Sequence, residues 1–212
     1  IAGMSVLITG GGSGIGRDCA RRFCERGARV TISGRRMDKL EAVKAELGAQ
    51  CEIVQGDVTV QADREMMLTA ALHQGDGNLH ALINNAANMY RQPVDGYEED
   101  FLKDAFNTNV VSAMMLSSMA VAPLERTEGA IVFIGSTHTR RAFPGASPYA
   151  TTKAALEGLT KVMAAELGPR KIRTGCILPG AVSTDLNLRA GLFTEEEAEG
   201  RYDAVAGLHA LG

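Results

Sequence analysis

The chain has no excess of basic residues. Lys and Arg number 22 against 25 Asp and Glu, for a formal net charge of −3. Without a cationic surplus to collect phosphates, nucleic acid is not an expected partner. No apolar run approaches the ~20 residues of a membrane-spanning helix. The first such run, Val6-Leu7-Ile8, passes at once into Thr9-Gly10-Gly11-Gly12 and is too short for a signal peptide. The four cysteines (Cys19, Cys24, Cys51, Cys176) form no CxxC pair and have no histidine at ligand spacing. A disulfide framework and a metal site are therefore not expected; scattered thiols in a reducing cytosol are. Repeats, low-complexity tracts and linkers are lacking too. The expectation is one soluble, cytoplasmic domain over 1–212, away from membranes.

Glycine, by contrast, is abundant: 24 of 212 residues, above the usual ~7%. With no Gly-X-Y period, the excess points to tight turns or close backbone approach to a ligand. Short Val/Ile-rich runs at Ser5–Thr9, Arg29–Ser33, Glu52–Gln55, His80–Ile83, Ala130–Ile134 and Arg173–Ile177 alternate with amphipathic stretches. The latter predict helices over Ile15–Arg26, Asp38–Leu47, Ala62–His73, Glu98–Ser118 and Tyr149–Leu167. Asp38 with Glu41 reads as a capping box, as does Thr194 with Glu197 for a helix running to about Leu208. Continuous apolar strands are buried on both faces, as in a parallel sheet. Six of them separated by helices predict an α/β, doubly wound, Rossmann-like fold in three layers. Such a sheet usually ends on a strand, whereas Ala206–Gly212 reads as helix and Ile1 is no initiator Met. The final strand is thus expected to be absent from this chain, with both ends trimmed.

Gly10, Gly14 and Gly16 follow the first strand and open the first helix, with Gly12, Ser13 and Ile15 between them. No register fits GxGxxG, but small residues at this turn let the backbone approach a pyrophosphate that helix N–H groups then meet. A P-loop is excluded, since no Gly-Lys-Ser/Thr follows. Where a dinucleotide fold carries an acid for the adenosine ribose, this chain has Ser33-Gly34-Arg35-Arg36. Arg35 suits a 2′-phosphate, which favours NADP as cofactor. If both arginines are simply solvated, the cofactor is NAD. Asp38, at the helix start, reads as a cap rather than the missing acid.

Tyr149 and Lys153, at i and i+4, share one helix face. An ammonium near the phenol would favour phenolate and lower a pKa that starts near ~10, giving a proton donor and acceptor near neutrality. Ser136 closes the buried run Ala130–Ile134 at its carboxyl end, where such sheets place ligands. His138, two residues after Ser136, reads either as lining the substrate pocket or as a solvent-facing loop residue and is left out of the catalytic set; Arg140 and Arg141 read as loop charges or a greeting for an acidic substrate, Cys176 as an inert thiol. Met114, Met115 and Met119 read as core or subunit contacts.

With these elements in this order, the sequence resembles the short-chain dehydrogenase/reductase family, in its ordinary single-domain branch, from about Ser5 to Thr184. The family's TGxxxGIG stands as Thr9, Gly10, Gly14, Ile15 and Gly16, and its adenine-clasping Asp-Val as Asp57-Val58. Its Asn-Asn-Ala-Gly is matched by Asn84-Asn85-Ala86, with Ala87 departing from the last Gly. Its helix asparagine is matched by Asn109 rather than Asn107, its Ser, Tyr and Lys by Ser136, Tyr149 and Lys153. Pro179, Gly180, Val182 and Thr184 follow its PGxVxT.

The resemblance implies an NAD(P)-dependent oxidoreductase interconverting a secondary alcohol and a ketone. Tyr149 would be the acid and base, and Lys153 would lower its pKa and bind the nicotinamide ribose. Ser136 would polarise the carbonyl, and Asn109 would hold a relay water. Asn85, Ala86 and the 179–184 segment would line the cofactor. Helices 98–118 and 149–167, apolar on more than one face, imply a homodimer or homotetramer. A small-molecule substrate would lie under a lid at about 185–208, made apolar by Leu186, Leu188, Leu192 and Phe193. The alternative is a dinucleotide-binding sensor or partner protein without turnover.

Overall fold

A computed structural model describes residues 1–182, 184 and 186. Six parallel strands form one sheet: β1 Ser5–Thr9, β2 Arg29–Gly34, β3 Cys51–Gln55, β4 Ala81–Asn84, β5 Ala130–Ile134 and β6 Arg173–Ile177. Their order is β3-β2-β1-β4-β5-β6. Ser5 pairs with Arg29 and Val6 with Ala81, so winding reverses between β1 and β4. That reversal opens a crevice at the carboxyl ends of the strands, where α/β sheets bind ligands. The doubly wound fold expected from the apolar runs is the one observed.

The helices are α1 Gly14–Glu25, α2 Met37–Leu47, α3 Gln61–Gln74, α4 Glu99–Phe106, α5 Ser112–Arg126 and α6 Ser147–Leu167. Alternation along β1 divides the core between two faces. Val6 and Ile8 pack with Ala20 of α1 and with Leu40 and Val43 of α2. Leu7 packs with Leu82, Phe133, Met67 of α3, Leu116 and Leu124 of α5, and Leu156 of α6. β1 is buried at every position, as a central strand covered on both sides must be.

Several expected boundaries move. Asp38 does not cap α2: Arg36 is the cap residue and makes no side-chain cap bond, while Asp38 lies in the first turn, where its charge favours the helix dipole. β4 begins at Ala81, one residue later than expected, although the His80 backbone already bonds both neighbours: its N–H donates to the Ser5 carbonyl at 2.9 Å, its carbonyl accepts from the Ala130 N–H at 3.0 Å, and its Nδ1 accepts from the Ser5 N–H at 3.0 Å. The predicted helix 98–118 is α4, one π-helical turn over Asn107–Val111, then α5 continuing through Pro123 to Arg126. Pro123 does not end it, since Pro123 and Leu124 are buried against the sheet. From Glu99 to Arg126 this run of 28 residues is long and apolar enough to cross a membrane, contrary to the expectation from short apolar runs. Its Leu116, Ala120 and Leu124 are spent on the core. Met114 and Met115, by contrast, are exposed and pack no core. The helix to about Leu208 and the proposed lid, except Leu186, lie outside the described residues.

Phe133 is fully buried between β5 and the helices over it. Phe133→Ala should lower unfolding stability by about 3–5 kcal/mol in urea titration. Met66→Ala, on the exposed side of α3, should change it by less than about 0.5 kcal/mol. Equal effects would contradict the placement of the core.

Candidate active site

The turn after β1 is clamped from β4. Thr9 Oγ1 accepts from the Asn85 and Ala86 N–H groups at 3.1 and 3.0 Å, and Asn85 Nδ2 donates to the Thr9 and Gly10 carbonyls at 2.9 and 3.1 Å. Asn85 thus holds the glycine loop as well as lining the cleft beside it. Gly14 has φ +51°, and a Cβ there would lie 2.9 Å from Thr184 Cγ2. Gly16 stands behind the loop: its Cβ would meet the Gly10 carbonyl oxygen at 2.4 Å. Gly16 therefore packs helix on loop, and it does not line the cleft as Gly10, Gly12, Ser13, Gly14 and Ile15 do. Ser13 is the cap residue of α1 but makes no cap bond; its hydroxyl accepts from Arg36 Nη2 at 3.1 Å.

Arg35, Arg36 and Lys39 lie along one end of this cleft with Asp57 and Val58, as the matching of those residues implied. Arg35 Nη1 stands 3.6 Å from Asp57 Oδ2. Burial pushes the Asp57 carboxyl up, but hydrogen bonds from the Thr59 N–H and hydroxyl, with Arg35 nearby, outweigh it and hold the pKa below the usual range. Two residues unremarked in the sequence fix this turn. Asp63 Oδ2 accepts from the Asp57 N–H at 2.6 Å, and the buried Arg64 donates to the Val58 carbonyl at 2.6 Å. Their signal was position alone, six residues on in the following helix.

At the other end, Ser136, Tyr149 and Lys153 converge at the carboxyl end of β5, exposed by only 6%, 5% and 3%. Lys153 Nζ donates to the Ile134 carbonyl at 2.7 Å and stands 5.6 Å from the centre of the Tyr149 ring. Burial lowers the Lys153 pKa to about 8. The Tyr149 phenol is moved up, not down as expected from Lys153: burial raises it, and the neighbouring Ser136 hydroxyl offsets only part. Asn109 sits in the π-helical turn and faces protein. Its Oδ1 accepts from the Asn88 N–H at 2.9 Å, while Nδ2 donates to the Asn88 carbonyl and to Thr152 Oγ1 at 3.0 and 3.1 Å. It thereby joins the segment after β4 to α6.

His138 is not a solvent-facing loop residue. It is half-buried, its Nδ1 is 3.1 Å from Ser136 Oγ, and its ring stacks on Phe143 at 4.3 Å and meets Tyr149 edge-on at 5.3 Å. Burial, then the charge of Arg91, lowers its pKa. Arg140 turns to Glu157, while Arg141 lines the cleft. The Thr137 N–H donates to the Pro179 carbonyl at 3.1 Å, which brings Pro179, Gly180 and Val182 to the same cleft with Thr184 and Leu186. The whole cleft measures about 1010 Å³.

The low Lys153 pKa has a sign that stability can report. Below about pH 8 the ammonium is charged in both states and its burial cost is borne in full. Between 8 and 10.5 the unfolded chain holds more of the proton, so stability rises with pH. The stability of wild type relative to Lys153→Met should climb over that window, by up to about 1.4 kcal/mol per pH unit. A difference independent of pH would contradict the buried ammonium.

The family model for short chain dehydrogenase matches residues 4–192. Over 183 residues the chain is 35% identical to dehydrogenase/reductase SDR family member 4 of Mus musculus, covering 84% of this chain and 65% of that protein. It thus spans just under two thirds of that relative. A solved short-chain dehydrogenase/reductase of unknown function from Caenorhabditis elegans, with cofactor, superposes with a TM-score of 0.90 at 27% identity, over 97% of this chain and 79% of that one. The 3-ketoacyl-(acyl-carrier-protein) reductase of Brucella melitensis, complexed with NADH, gives 0.83 at 30% identity, over 87% and 78%. The six-stranded parallel sheet with its flanking helices agrees with these likenesses. The chain belongs to the short-chain dehydrogenase family.

Proposed function

We propose that this chain is an oxidoreductase that interconverts a secondary alcohol and a ketone, with NADP as its preferred cofactor. The observation that carries the reading is the buried convergence of Ser136, Tyr149 and Lys153 in the cleft that also holds the glycine loop. The residues fit a dinucleotide on their own terms. A cleft of about 1010 Å³ lies at the top of the ~300–1,000 Å³ range of small-molecule sites. Lys153 spends one N–H on Ile134 and has two more donors for ribose hydroxyls.

A bound nicotinamide dinucleotide supplies the hydride that the carbonyl carbon accepts. The protein holds the carbonyl and manages the proton. The Ser136 hydroxyl is placed to donate to the carbonyl oxygen. Tyr149 gives its proton to that oxygen in reduction and takes the hydroxyl proton in oxidation. Its raised pKa keeps it protonated at neutral pH, which suits the acid role. Lys153 counters the charge that appears on the phenolate oxygen and orients the ribose. Asn109 is a positioning residue here, tying Asn88 to α6.

The preference for NADP rests on Arg35 and Arg36 just beyond β2 and Lys39 in α2, which outnumber Asp57, the one carboxylate among the described residues lining that end of the cleft. One observation favours NAD instead: Arg35 already lies beside Asp57. A homodimer or homotetramer is supported by Val111, Met114, Met115 and Val162, exposed by 43–55% on α5, α6 and the turn before α5.

Nicotinamide fluorescence titrations with NADPH and NADH should show NADPH bound at least tenfold tighter, with Arg35→Ser narrowing the gap. Equal affinities would leave the enzyme but remove the role of Arg35. Tyr149→Phe should lower kcat by about 10²–10⁴-fold with NADPH affinity nearly unchanged. Undiminished turnover would overturn the mechanism, and no turnover in wild type would favour a sensor.

A further inference from the structure

The cleft is far more cationic than the chain that forms it. Among the described residues it is lined by six Lys and Arg side chains and by one carboxylate, Asp57, although the whole chain carries a net charge of −3. Arg35, Arg36 and Lys39 belong to the end of β2 with Asp57, and Lys153 lies beneath Tyr149. That leaves Arg91 and Arg141, on two different loops, at the end where Ser136 and His138 stand, with no carboxylate among the described residues lining the cleft there.

Arg91 is fixed. It is half-buried, and its Nη2 donates to the Pro144 carbonyl at 2.6 Å, while the next residue, Gln92, donates its N–H to the Gly145 carbonyl at 3.0 Å. Its charge reaches His138, whose Nδ1 is 3.1 Å from Ser136 Oγ. Arg91 thus lines the same cleft as the Ser136 hydroxyl that would meet the substrate carbonyl. Arg141 is exposed at the mouth, and its side chain makes no hydrogen bond or ion pair among the described residues. Its neighbour Arg140 is on Glu157, away from the cleft. Phe143, stacked on His138, forms an apolar wall beside the two cations. Two guanidiniums in a recess pair with anionic oxygens through charge-assisted, bidentate hydrogen bonds, and their joint field draws anions in.

We infer that the substrate is a ketone bearing an anionic group, a carboxylate or a phosphate ester, held by Arg91 and Arg141 while its carbonyl meets Ser136 and Tyr149. The inference rests on the oxidoreductase reading and sharpens it. In reduction the carbonyl carbon gains the hydride of the reduced dinucleotide and the oxygen gains the Tyr149 proton; the anionic group is unchanged.

The test is kcat/KM with NADPH for two matched pairs: levulinate against methyl levulinate, and dihydroxyacetone phosphate against dihydroxyacetone. At least one charged member should be preferred tenfold or more, and the pair that shows it separates carboxylate from phosphate. Arg141→Gln should cut that preference at least threefold, Arg141→Lys should retain most of it, and Arg140→Gln should leave it as it is. Preference below tenfold in both pairs, or a loss under threefold in Arg141→Gln, overturns the inference while turnover of the neutral members upholds the oxidoreductase reading. Turnover of none of the four overturns both.

Discussion

The hydrogen bond from Lys153 to the Ile134 carbonyl joins the chemistry of this protein to its fold. An ammonium buried without partners is too costly to keep charged, so the contact both needs the end of β5 and fixes α6 against it. Tyr149, one turn earlier on α6, then has little freedom, and Ser136, two residues beyond β5, is delivered to it by the strand. The same burial moves both titratable groups toward neutrality, Lys153 down and Tyr149 up. A group that brings charge or hydroxyls to this spot changes both together.

A second clamp governs the other half of the cleft. Thr9 and Gly10 accept four hydrogen bonds from Asn85 and Ala86 between the ends of β1 and β4, the two strands at which the winding reverses. The glycine loop is therefore held by side chains rather than by its own sequence. Gly16 serves the loop from behind, through its lack of a Cβ. Asn109 does a comparable service at the catalytic end, and it can face Asn88 and Thr152 together because the helix widens into a π turn there.

Strands were legible because central strands buried on both faces are written in apolar runs, and β1 and β5 begin and end where those runs do, as does the partly exposed edge strand β6. What was not legible depended on partners distant in sequence. Asp38 has the spacing of a cap, but the chain enters α2 two residues too early for it. Ser136, Tyr149 and Lys153 could be picked out by spacing and family likeness. Arg64 and Arg91 could not, since each acts through a backbone carbonyl that only folding brings near. Arg140 and Arg141 are indistinguishable as letters, and the fold sends one to Glu157 and the other to the cleft.

The central claim is that one continuous cleft, from the end of β2 to Tyr149, receives a nicotinamide dinucleotide. Hydrogen–deuterium exchange with and without NADPH tests it most directly. The account predicts slowed exchange in residues 10–15, 34–36, 56–58, 85–88 and 134–136, and none around Arg29, Gln50 and Asp76 at the opposite end of the sheet. Protection confined to that opposite end, or no protection at saturating NADPH, would contradict it.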